Sequence, residues 1–411
     1  MNIDLEKLTA ELEQLATFSD APAPAVTRVL WTKQDMQARA WLKGLALEAG
    51  LLYREDALGN TFIRLEGTLP DLPAIGTGSH NDAIPFSGRY DGTVGVMGGL
   101  EALRAIQKSG LSHKRSLEVL MFTSEEPTRF GLGCLGSRLL SGAIELEQVR
   151  ALKDSDGIGL EAAREAVGYT APLETVRLPA NYYTAFVELH IEQAPLLEQK
   201  DLQIGVVSAI AAPASFFVHL TGEGGHAGAR LMPGRRDALL AAAEITLAVE
   251  QASLGSGALD TVGTTGLLEV HPGAINSIPS QVRLGIDIRD TDGSRRDQVV
   301  QEVIKTIQKV AIQRNIKAEI EMINSDPPAQ SDPKILEAIR ASVTDLGFTH
   351  LEMVSRAYHD SLFMARIAPM AMIFIPCRAG VSHRPDEYAA PEDIARGVQV
   401  LAQTMLRLAN A

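Results

Sequence analysis

The spacing of apolar residues alternates along the chain between a helical repeat and the short apolar runs of buried strands. Helical spacing predicts helices over 2–17, 33–49, 92–109 and 136–141, and apolar runs predict strands over 60–67, 74–82, 117–123 and 183–192. Strands that alternate with helices in this way indicate a layered α/β domain.

The segment 211–325 has its own order of elements. Its pattern predicts strands over 215–222, 261–271, 281–290 and 317–323, and helices over 236–252 and 297–314. The order strand–helix–strand–strand–helix–strand is that of the ferredoxin-like split unit. The polar stretch that follows, 324–333, contains three prolines and is typical of a linker.

A helix over 334–346, a strand over 371–376 and a helix over 391–408 complete the predicted elements. The simplest interpretation is one α/β domain that is interrupted by a smaller α+β domain. We therefore expect a first domain in two parts, 1–210 and 326–411, with 211–325 inserted between them.

Composition narrows the class of protein. The 411 residues are 45% hydrophobic and 22% charged, which is typical of a globular chain, and the net charge is −13. An acidic chain argues against nucleic acid or an anionic membrane surface as partner. No stretch approaches 18 uninterrupted apolar residues, and the start of the chain lacks the basic and apolar segments of a signal peptide. We expect a cytoplasmic protein without a membrane span.

Histidines and carboxylates recur at or near the ends of predicted core strands. They are His80, Asp82, Asp91, Glu125, Glu126, His190 and His383. Ligands of α/β sheets bind at the carboxyl ends of strands, and a mixture of nitrogen and oxygen donors suits borderline divalent metals. The repeated placement favours a metal centre over the alternative, in which each histidine is a hydrogen-bonded core residue and the paired acids form a solvated turn.

The stretch 131–136, GLGCLG, matches the dinucleotide fingerprint G-x-G-x-x-G. That fingerprint should begin directly after a strand, but seven residues, 124–130, intervene here. We therefore do not interpret it as a cofactor loop. The two cysteines, Cys134 and Cys377, are too few for a disulfide framework or a four-thiolate zinc site, and their apolar neighbours favour inert packing.

Further polar groups lie in and after the inserted domain. His226 stands among glycines after a strand, Asn276 lies in a turn, and Arg289 ends the strand 281–290. A glycine turn, a turn residue and a surface ion pair explain these three equally well. Tyr358 and His359 form another polar cluster with the same ambiguity.

Together these motifs resemble the M20 metallopeptidase clan, and specifically its amidohydrolase branch. The resemblance runs from about residue 76 to 409 and rests on GSHNDAIPFSGRYDG, EEPTRFG, ELHIEQ, GEGGHAG, GAINSIPS, DIRD, YHDSLFMARI and GVSHRPDEY. Within the branch, EEPTRFGLGCLGSRLLSG and SRAYHDSLFMARIAPMAMIFIPC are most similar to the ureidoglycolate amidohydrolases. The resemblance implies a mixed-sheet metallohydrolase domain with an inserted ferredoxin-like lid and dimerisation domain.

The resemblance also implies a role for each matching residue. The implied roles are ligands of one metal for His80 and His190, a bridging carboxylate for Asp91, ligands of a second metal for Glu126 and His383, the general base for Glu125, lid groups for His226, Asn276 and Arg289, and substrate contacts for Gln193, Tyr358 and His359. It implies two divalent ions, manganese first, with zinc, cobalt or nickel as alternatives. It further implies a homodimer through the inserted domain, in which His226 reaches the neighbouring subunit's site.

From this resemblance we expect a metal-dependent amidohydrolase that cleaves the ureido C–N bond of a small anionic ureido acid. The first choice is (S)-ureidoglycolate in purine and ureide catabolism, with glyoxylate, ammonia and carbon dioxide as products. Allantoate and N-carbamoyl-L-amino acids are the alternatives within the branch. A dipeptidase or aminopeptidase and an inactive binding protein are more distant alternatives.

Overall fold

The computed structural model describes residues 1–411, and the chain folds into two compact units. Unit 1 contains 1–208, 330–355 and 359–411, and unit 2 contains 209–329 together with 356–358. The expected boundaries of the inserted segment, 211 and 325, lie within a few residues of those of unit 2. The short return of 356–358 to unit 2 was not anticipated.

Twelve α-helices and two 3₁₀ turns occur along the chain. The helices are α1 (Leu5–Thr17), α2 (Lys33–Glu48), α3 (Thr93–Ser109), α4 (Leu135–Ser141), α5 (Leu146–Ala151), α6 (Leu160–Ala166), α7 (Leu196–Gln199), α8 (Ala238–Gly255), α9 (Gly293–Arg314), α10 (Pro333–Asp345), α11 (Ser361–Met364) and α12 (Pro391–Asn410), and the 3₁₀ turns are Leu173–Thr175 and Arg378–Gly380.

Seventeen strands complete the fold. They are β1 (Val26–Arg28), β2 (Leu52–Glu55), β3 (Thr61–Leu65), β4 (Ala74–His80), β5 (Ala83–Ser87), β6 (Leu117–Phe122), β7 (Tyr183–Ile191), β8 (Ile204–Ile210), β9 (Ala212–Thr221), β10 (Gly225–His226), β11 (Val262–His271), β12 (Ser277–Ile278), β13 (Gln281–Asp290), β14 (Lys317–Ser325), β15 (Ala329–Gln330), β16 (His350–Ser355) and β17 (Met370–Ile375).

The main sheet of unit 1 has nine strands, in the order β15-β8-β17-β7-β4-β6-β3-β2, with β16 paired to β8. The central strands β17, β7, β4 and β6 are parallel, whereas β8 and β3 run antiparallel to them. This mixed sheet with helices confirms the predicted α/β class. The four central strands end at the same edge, because parallel neighbours share one direction.

Register brings the chemically important strand ends to one level. His80 at the end of β4 lies opposite Phe122 at the end of β6, and His190 of β7 lies opposite Phe374 of β17. The polar residues that follow these strands therefore leave the sheet side by side. The apolar side chains below them are almost completely buried, which fixes the strands in this register.

Gly78 allows β4 and β6 to approach closely. Its φ is +152°, and a Cβ atom at this position would lie 1.8 Å from the carbonyl oxygen of Leu120 on the neighbouring strand. No side chain fits in that space, so only glycine keeps the two strands paired just before His80.

Unit 2 has a four-stranded antiparallel sheet in the order β11-β13-β9-β14. Helices α8 and α9 bury their apolar side chains in one core with the sheet. This is the ferredoxin-like order that the sequence predicted. β10 and β12 pair separately as a two-stranded ribbon.

The helix α8 is long and apolar enough to cross a membrane by length and composition. The buried residues along α8, among them Ala241, Ala242, Ile245 and Val249, belong to the core of unit 2. A core helix of a globular unit meets the same criteria, so α8 is weak support for a membrane span.

The sequence pattern missed several strands of unit 1, most clearly β8 and β16. β8 is followed after a single residue by β9, so no polar loop separates the two strands in the sequence. β16 pairs only with β8 and is largely half-exposed, so its apolar alternation is weak.

Replacing Gly78 by alanine should lower the free energy of unfolding by about 3 kcal/mol or more, because the Leu120 carbonyl must move. The matched control is Gly44→Ala in α2, where a Cβ atom would meet nothing within 4 Å. That control should be neutral or stabilising by about 0.5–1 kcal/mol, since glycine is a poor helix residue. Urea unfolding followed by circular dichroism measures both, and equal midpoints for the two variants would contradict the role of Gly78.

Candidate metal centre

The carboxylate of Asp91 lies at the centre of a histidine cluster in unit 1. Its Oδ1 is 3.4 Å from Nε2 of His80 and 3.2 Å from Nε2 of His190, and its Oδ2 is 3.3 Å from Nε2 of His383. Three chain segments that are far apart in the sequence thus meet on one side chain.

Two groups of potential ligand atoms share Asp91. His80, Asp91 and His190 form the first group, and Asp91, Glu126 and His383 form the second. In each group the three donor atoms lie within 4.8 Å of one another. Two imidazoles with one carboxylate, and one imidazole with two carboxylates, are donor sets that suit divalent first-row metals.

Hydrogen bonds orient the two buried imidazoles for such a role. Nδ1 of His80 lies 3.0 Å from the carbonyl oxygen of Asp82, and Nδ1 of His190 lies 2.9 Å from that of Ile191. A carbonyl can only accept, so each Nδ1 carries a proton, and Nε2 is the nitrogen that could bind a metal in place of its own proton. Metal-binding histidines are commonly held in this way, and the residues present therefore fit a metal centre.

The electrostatics of the cluster reflect its surplus of carboxylates. Burial alone would raise the pKa of Asp91, but the imidazoles of His190, His383 and His80 hold this pKa well below its usual value. Hydrogen bonds to Asp91 and Glu126 raise the pKa of His383 to about 10. Each ring is thus stabilised in its cationic form by carboxylates, which are the same groups that would attract a metal cation.

Asp82 connects the strand end at His80 with the paired acids. Its Oδ1 accepts a hydrogen bond from the backbone N–H of Glu125 at 3.2 Å, and its Oδ2 accepts one from that of Glu126 at 3.0 Å. Burial, opposed by His80, raises the pKa of the Asp82 carboxyl to about 6. Asp82 therefore positions two neighbouring segments and belongs to neither group of donor atoms.

Glu125 lies next to the cluster but outside both donor groups. Its Oε2 is 3.7 Å from Nε2 of His80, and its Oε1 accepts a hydrogen bond from Sγ of Cys134 at 3.4 Å. Burial raises the pKa of Glu125 well above its usual value, and the neighbouring charge of Glu126 raises it further. A largely buried carboxylate with a raised pKa beside potential metal ligands is suited to proton transfer.

Left-handed backbone conformations concentrate around the cluster. Ser124, Gln193 and His383 have φ values of 57°, 57° and 58°, although none of them is glycine. Gly92 has a φ of 67°, and a Cβ atom there would lie 2.4 Å from Nε2 of His80. Such strain persists only where the surrounding structure imposes it, and it is frequent at functional sites.

Gln193 contacts the cluster directly. Its Nε2 donates to Oδ2 of Asp91 at 2.7 Å, and its buried Oε1 has no hydrogen-bond partner. The expected substrate contact of Gln193 thus stays a prediction, and the unpartnered oxygen is the atom available for it.

His359 is buried next to His190. This ring is 2% exposed and packs edge-on against His190 with centroids 4.6 Å apart, while its Nε2 lies 2.9 Å from Oγ of Ser355. Glu188, His190 and His359 form a third group of potential ligand atoms, but Ser79 and Ser361 already donate to the Glu188 carboxylate. His359 therefore supports His190 from behind, and its expected contact with a substrate stays a prediction.

In unit 2, the ribbon of β10 and β12 brings His226 and Asn276 together. His226 pairs with Ser277, and the carbonyl of Asn276 accepts from the N–H of Ala227 at 2.9 Å. Nδ1 of His226 accepts from two backbone N–H groups at 3.2 Å, so its proton is on Nε2, and the ring is exposed. His226 is thus a ready hydrogen-bond donor at the surface of unit 2.

Arg289 and Tyr358 have partners within unit 2. The Arg289 guanidinium contacts both carboxylate oxygens of Asp287, with Nε 2.7 Å from Oδ1, and it also donates to the carbonyl of Arg356 at 2.9 Å. The hydroxyl of Tyr358 donates to Asp326. Arg289 thus forms an ion pair with Asp287 within unit 2. The contact of Arg289 with a substrate carboxylate stays a prediction.

Sequence reasoning overlooked the contacts that three residues make with the cluster or with Glu125. They are Cys134, Ser382 and Glu387. Cys134 is buried as expected, yet its thiol bonds to Glu125 and is not merely inert packing. The motif GVSHRPDEY contains Ser382 and Glu387, so the signal was present but only its histidine was used.

Comparison with known proteins identifies the family. Residues 78–407 match the family described as Peptidase family M20/M25/M40. The chain belongs to this family. Its members are metal-dependent hydrolases, which agrees with the two donor groups around Asp91.

Individual relatives extend over the whole chain. The chain is 54% identical to a ureidoglycolate hydrolase of Oryza sativa subsp. japonica, covering 99% of this chain and 85% of that protein. It is 36% identical to an N-carbamoyl-L-amino-acid amidohydrolase of Paenarthrobacter aurescens, covering 98% of each. The crystal structure of AtUAH in complex with glyoxylate superimposes with a TM-score of 0.89 at 51% identity, covering 100% of this chain and 98% of that one.

For this M20 family member, variants of the shared and unshared ligands should differ in metal content. After reconstitution with Mn²⁺, Glu126→Gln should retain about one ion per chain and Asp91→Ala almost none, because Asp91 belongs to both donor groups of a two-metal site. Elemental analysis of the desalted protein measures this. The control is Glu118→Gln, another buried glutamate that instead accepts from the hydroxyl of Tyr183 at 2.6 Å. Full metal content in Asp91→Ala would exclude the shared position.

Proposed function

We propose that this protein is a dinuclear metal amidohydrolase that hydrolyses (S)-ureidoglycolate. Water attacks the ureido carbonyl and a C–N bond breaks; the fragments then decompose to glyoxylate, carbon dioxide and ammonia. This stoichiometry balances with one water consumed and two ammonia molecules released per ureidoglycolate.

One observation carries the proposal: two donor groups share a buried carboxylate in a chain that is 54% identical to a ureidoglycolate hydrolase over nearly its whole length. The substrate of that relative and the glyoxylate bound to AtUAH both support a small ureido acid. The lower identity of 36% to an N-carbamoyl-L-amino-acid amidohydrolase makes that activity the second candidate.

The proposed mechanism assigns the proton transfers to Glu125. The two donor groups around Asp91 would hold two ions, which would lower the pKa of a water molecule and polarise the ureido carbonyl. Glu125 accepts the proton of the attacking water and delivers it to the leaving nitrogen, since its carboxylate is held between Cys134 and His80 and belongs to neither donor group. Asp82 fixes the backbone of Glu125, so the base stays in one position throughout.

Unit 2 is proposed to recognise the charged substrate. His226 can donate from Nε2 to the carbonyl oxygen as it gains negative charge, and Arg289 offers a planar fork for a carboxylate. Asn276 is positioned beside His226 by the same ribbon. The contact between Arg289 and Asp287 means that a substrate carboxylate would use the remaining guanidinium donors or replace Asp287.

A homodimer through unit 2 is part of the proposal. β11 is an edge strand of the unit 2 sheet, and the nearby Leu247, Leu254 and Leu259 are 57%, 76% and 94% exposed. Exposed edges and apolar side chains of this kind mark association surfaces. Manganese as the metal and the cytoplasm as the compartment remain predictions from the family resemblance.

A substrate panel tests the proposal. The Mn²⁺-loaded protein is offered (S)-ureidoglycolate, allantoate, an N-carbamoyl-L-amino acid and a dipeptide, and the release of ammonia, or of free amino acid from the dipeptide, is followed. We expect the highest kcat/KM for ureidoglycolate. A higher value for the carbamoyl compound or for allantoate would move the assignment to that relative, and a higher value for the dipeptide would make the protein a peptidase.

Glu125→Gln should lower kcat by about 10²–10⁴-fold, because the amide cannot accept the water proton. Its metal content should stay near that of the wild type, since Glu125 lies outside both donor groups. Parallel measurement of kcat and bound Mn²⁺ distinguishes this variant from Glu126→Gln, which should lose turnover together with about one of its two ions. Normal turnover in Glu125→Gln would remove Glu125 from the mechanism.

The dimer proposal predicts complementation between two inactive variants. If His226 acts on the partner's cluster, a heterodimer of His226→Ala and Glu125→Gln has one site with both lesions and one with neither. Co-expression should therefore restore activity that each homodimer lacks. A confirmed heterodimer that stays inactive would place His226 in its own subunit's site or outside catalysis.

A further inference from the structure

Glu387 is a buried carboxylate that no step of the mechanism uses. It is 4% exposed and lies between His383 and the start of α12. Its Oε1 accepts hydrogen bonds from the backbone N–H groups of Tyr90 at 2.8 Å and Asp91 at 3.1 Å. A single side chain from the end of the chain thus holds the backbone of the central carboxylate of the cluster.

The second oxygen of Glu387 connects to the other side of Asp91. Oγ of Ser382 lies 2.9 Å from Oε2 of Glu387 and 2.7 Å from Oδ2 of Asp91. Ser382 directly precedes His383, so the Glu387 carboxylate joins the loop of Asp91 to the loop of His383. Both loops lack regular structure at these residues and need such a contact to define their positions.

Close packing supports this reading of Glu387. A Cβ atom on Gly88 would lie 2.4 Å from Oε1 and Cδ of Glu387, although the φ of Gly88 is not left-handed. Glycine at 88 is therefore required by the approach of the carboxylate and not by the backbone conformation. The loop 88–91 is shaped to receive this side chain.

We propose that Glu387 is a positioning residue of the metal centre, which aligns Asp91 with His383 through the reach of its side chain. Asp82 has the equivalent task on the other side, where it accepts from the N–H groups of Glu125 and Glu126. The inference rests on the metal dependence of the family and not on the identity of the substrate. Groups that orient metal ligands typically contribute about 10–100-fold to metal affinity.

Three substitutions of Glu387 distinguish the effect of side-chain length from the effect of side-chain charge. Glu387→Gln keeps the length and an acceptor oxygen for Tyr90 and Asp91, while its NH₂ can donate to Ser382. Glu387→Asp keeps the charge but is one methylene shorter, and Glu387→Ala removes both. The proposal expects nearly normal Mn²⁺ affinity for the glutamine variant and a loss of about 10–100-fold for the aspartate and alanine variants.

Calorimetric titration of the metal-free, full-length protein with Mn²⁺ measures these affinities. The control is Asp332→Ala, which removes a carboxylate that accepts from the N–H groups of Lys334 and Ile335 at the start of α10, away from the cluster. It should lose stability but not Mn²⁺ affinity. Normal Mn²⁺ affinity in Glu387→Asp together with weakened Mn²⁺ affinity in Glu387→Gln would overturn the proposal. Such a result would mean that the charge of the side chain, and not its length, determines the affinity.

Should Glu387→Ala fail to fold, the comparison of the glutamine and aspartate variants still decides between the two outcomes. Unchanged affinity in both of them would also overturn the proposal. Turnover of ureidoglycolate is recorded separately, so a wrong substrate assignment leaves the Mn²⁺ result valid.

Discussion

The burial of one carboxylate, that of Asp91, is the constraint on which the rest of the site depends. A buried charge is costly unless it is paired and hydrogen-bonded. Here the partners are His80, His190 and His383, and the last of these follows β17, beyond the whole of unit 2 in the sequence. The segments of unit 1 before and after unit 2 must therefore assemble before Asp91 has its partners. The cluster therefore forms only when the whole of unit 1 has folded, and no single segment of the chain contains it.

The parallel arrangement of the central strands makes this assembly possible without long connecting segments. Because β4, β6, β7 and β17 end at one edge, short loops suffice to bring their ligands together. The loops then require exact backbone paths, and two buried carboxylates, Asp82 and Glu387, fix those paths through backbone N–H groups. Ser124 and His383 adopt left-handed backbone conformations, which are strained for residues other than glycine. The packed sheet beneath them stabilises the chain in these conformations.

The sequence revealed the strand ends but not the contacts between them. An apolar run that stops at a histidine or a paired acid is visible as a pattern, so His80, Glu125 and Glu126 could be found together with the α/β class. The contacts of Glu387 and Cys134 depend on which loop lies next to each of them in the folded chain. A single polar residue produces no periodic pattern from which such a contact could be predicted. The burial of His359 was hidden for the same reason: its motif places it near polar neighbours, whereas the fold turns its ring onto His190.

The solvent exposure of the side chains differs across the cluster, so that one side of the cluster is buried and the other is open. His80 and His190 are 2% and 1% exposed, whereas the side chain of His383 is 47% exposed. The cluster is therefore accessible to solvent at His383 and closed at His80 and His190. Glu125, whose side chain is 12% exposed, lies between the two. The proton acceptor that we propose, Glu125, is thus partly accessible to solvent, while its burial is still sufficient to raise the pKa of its carboxyl.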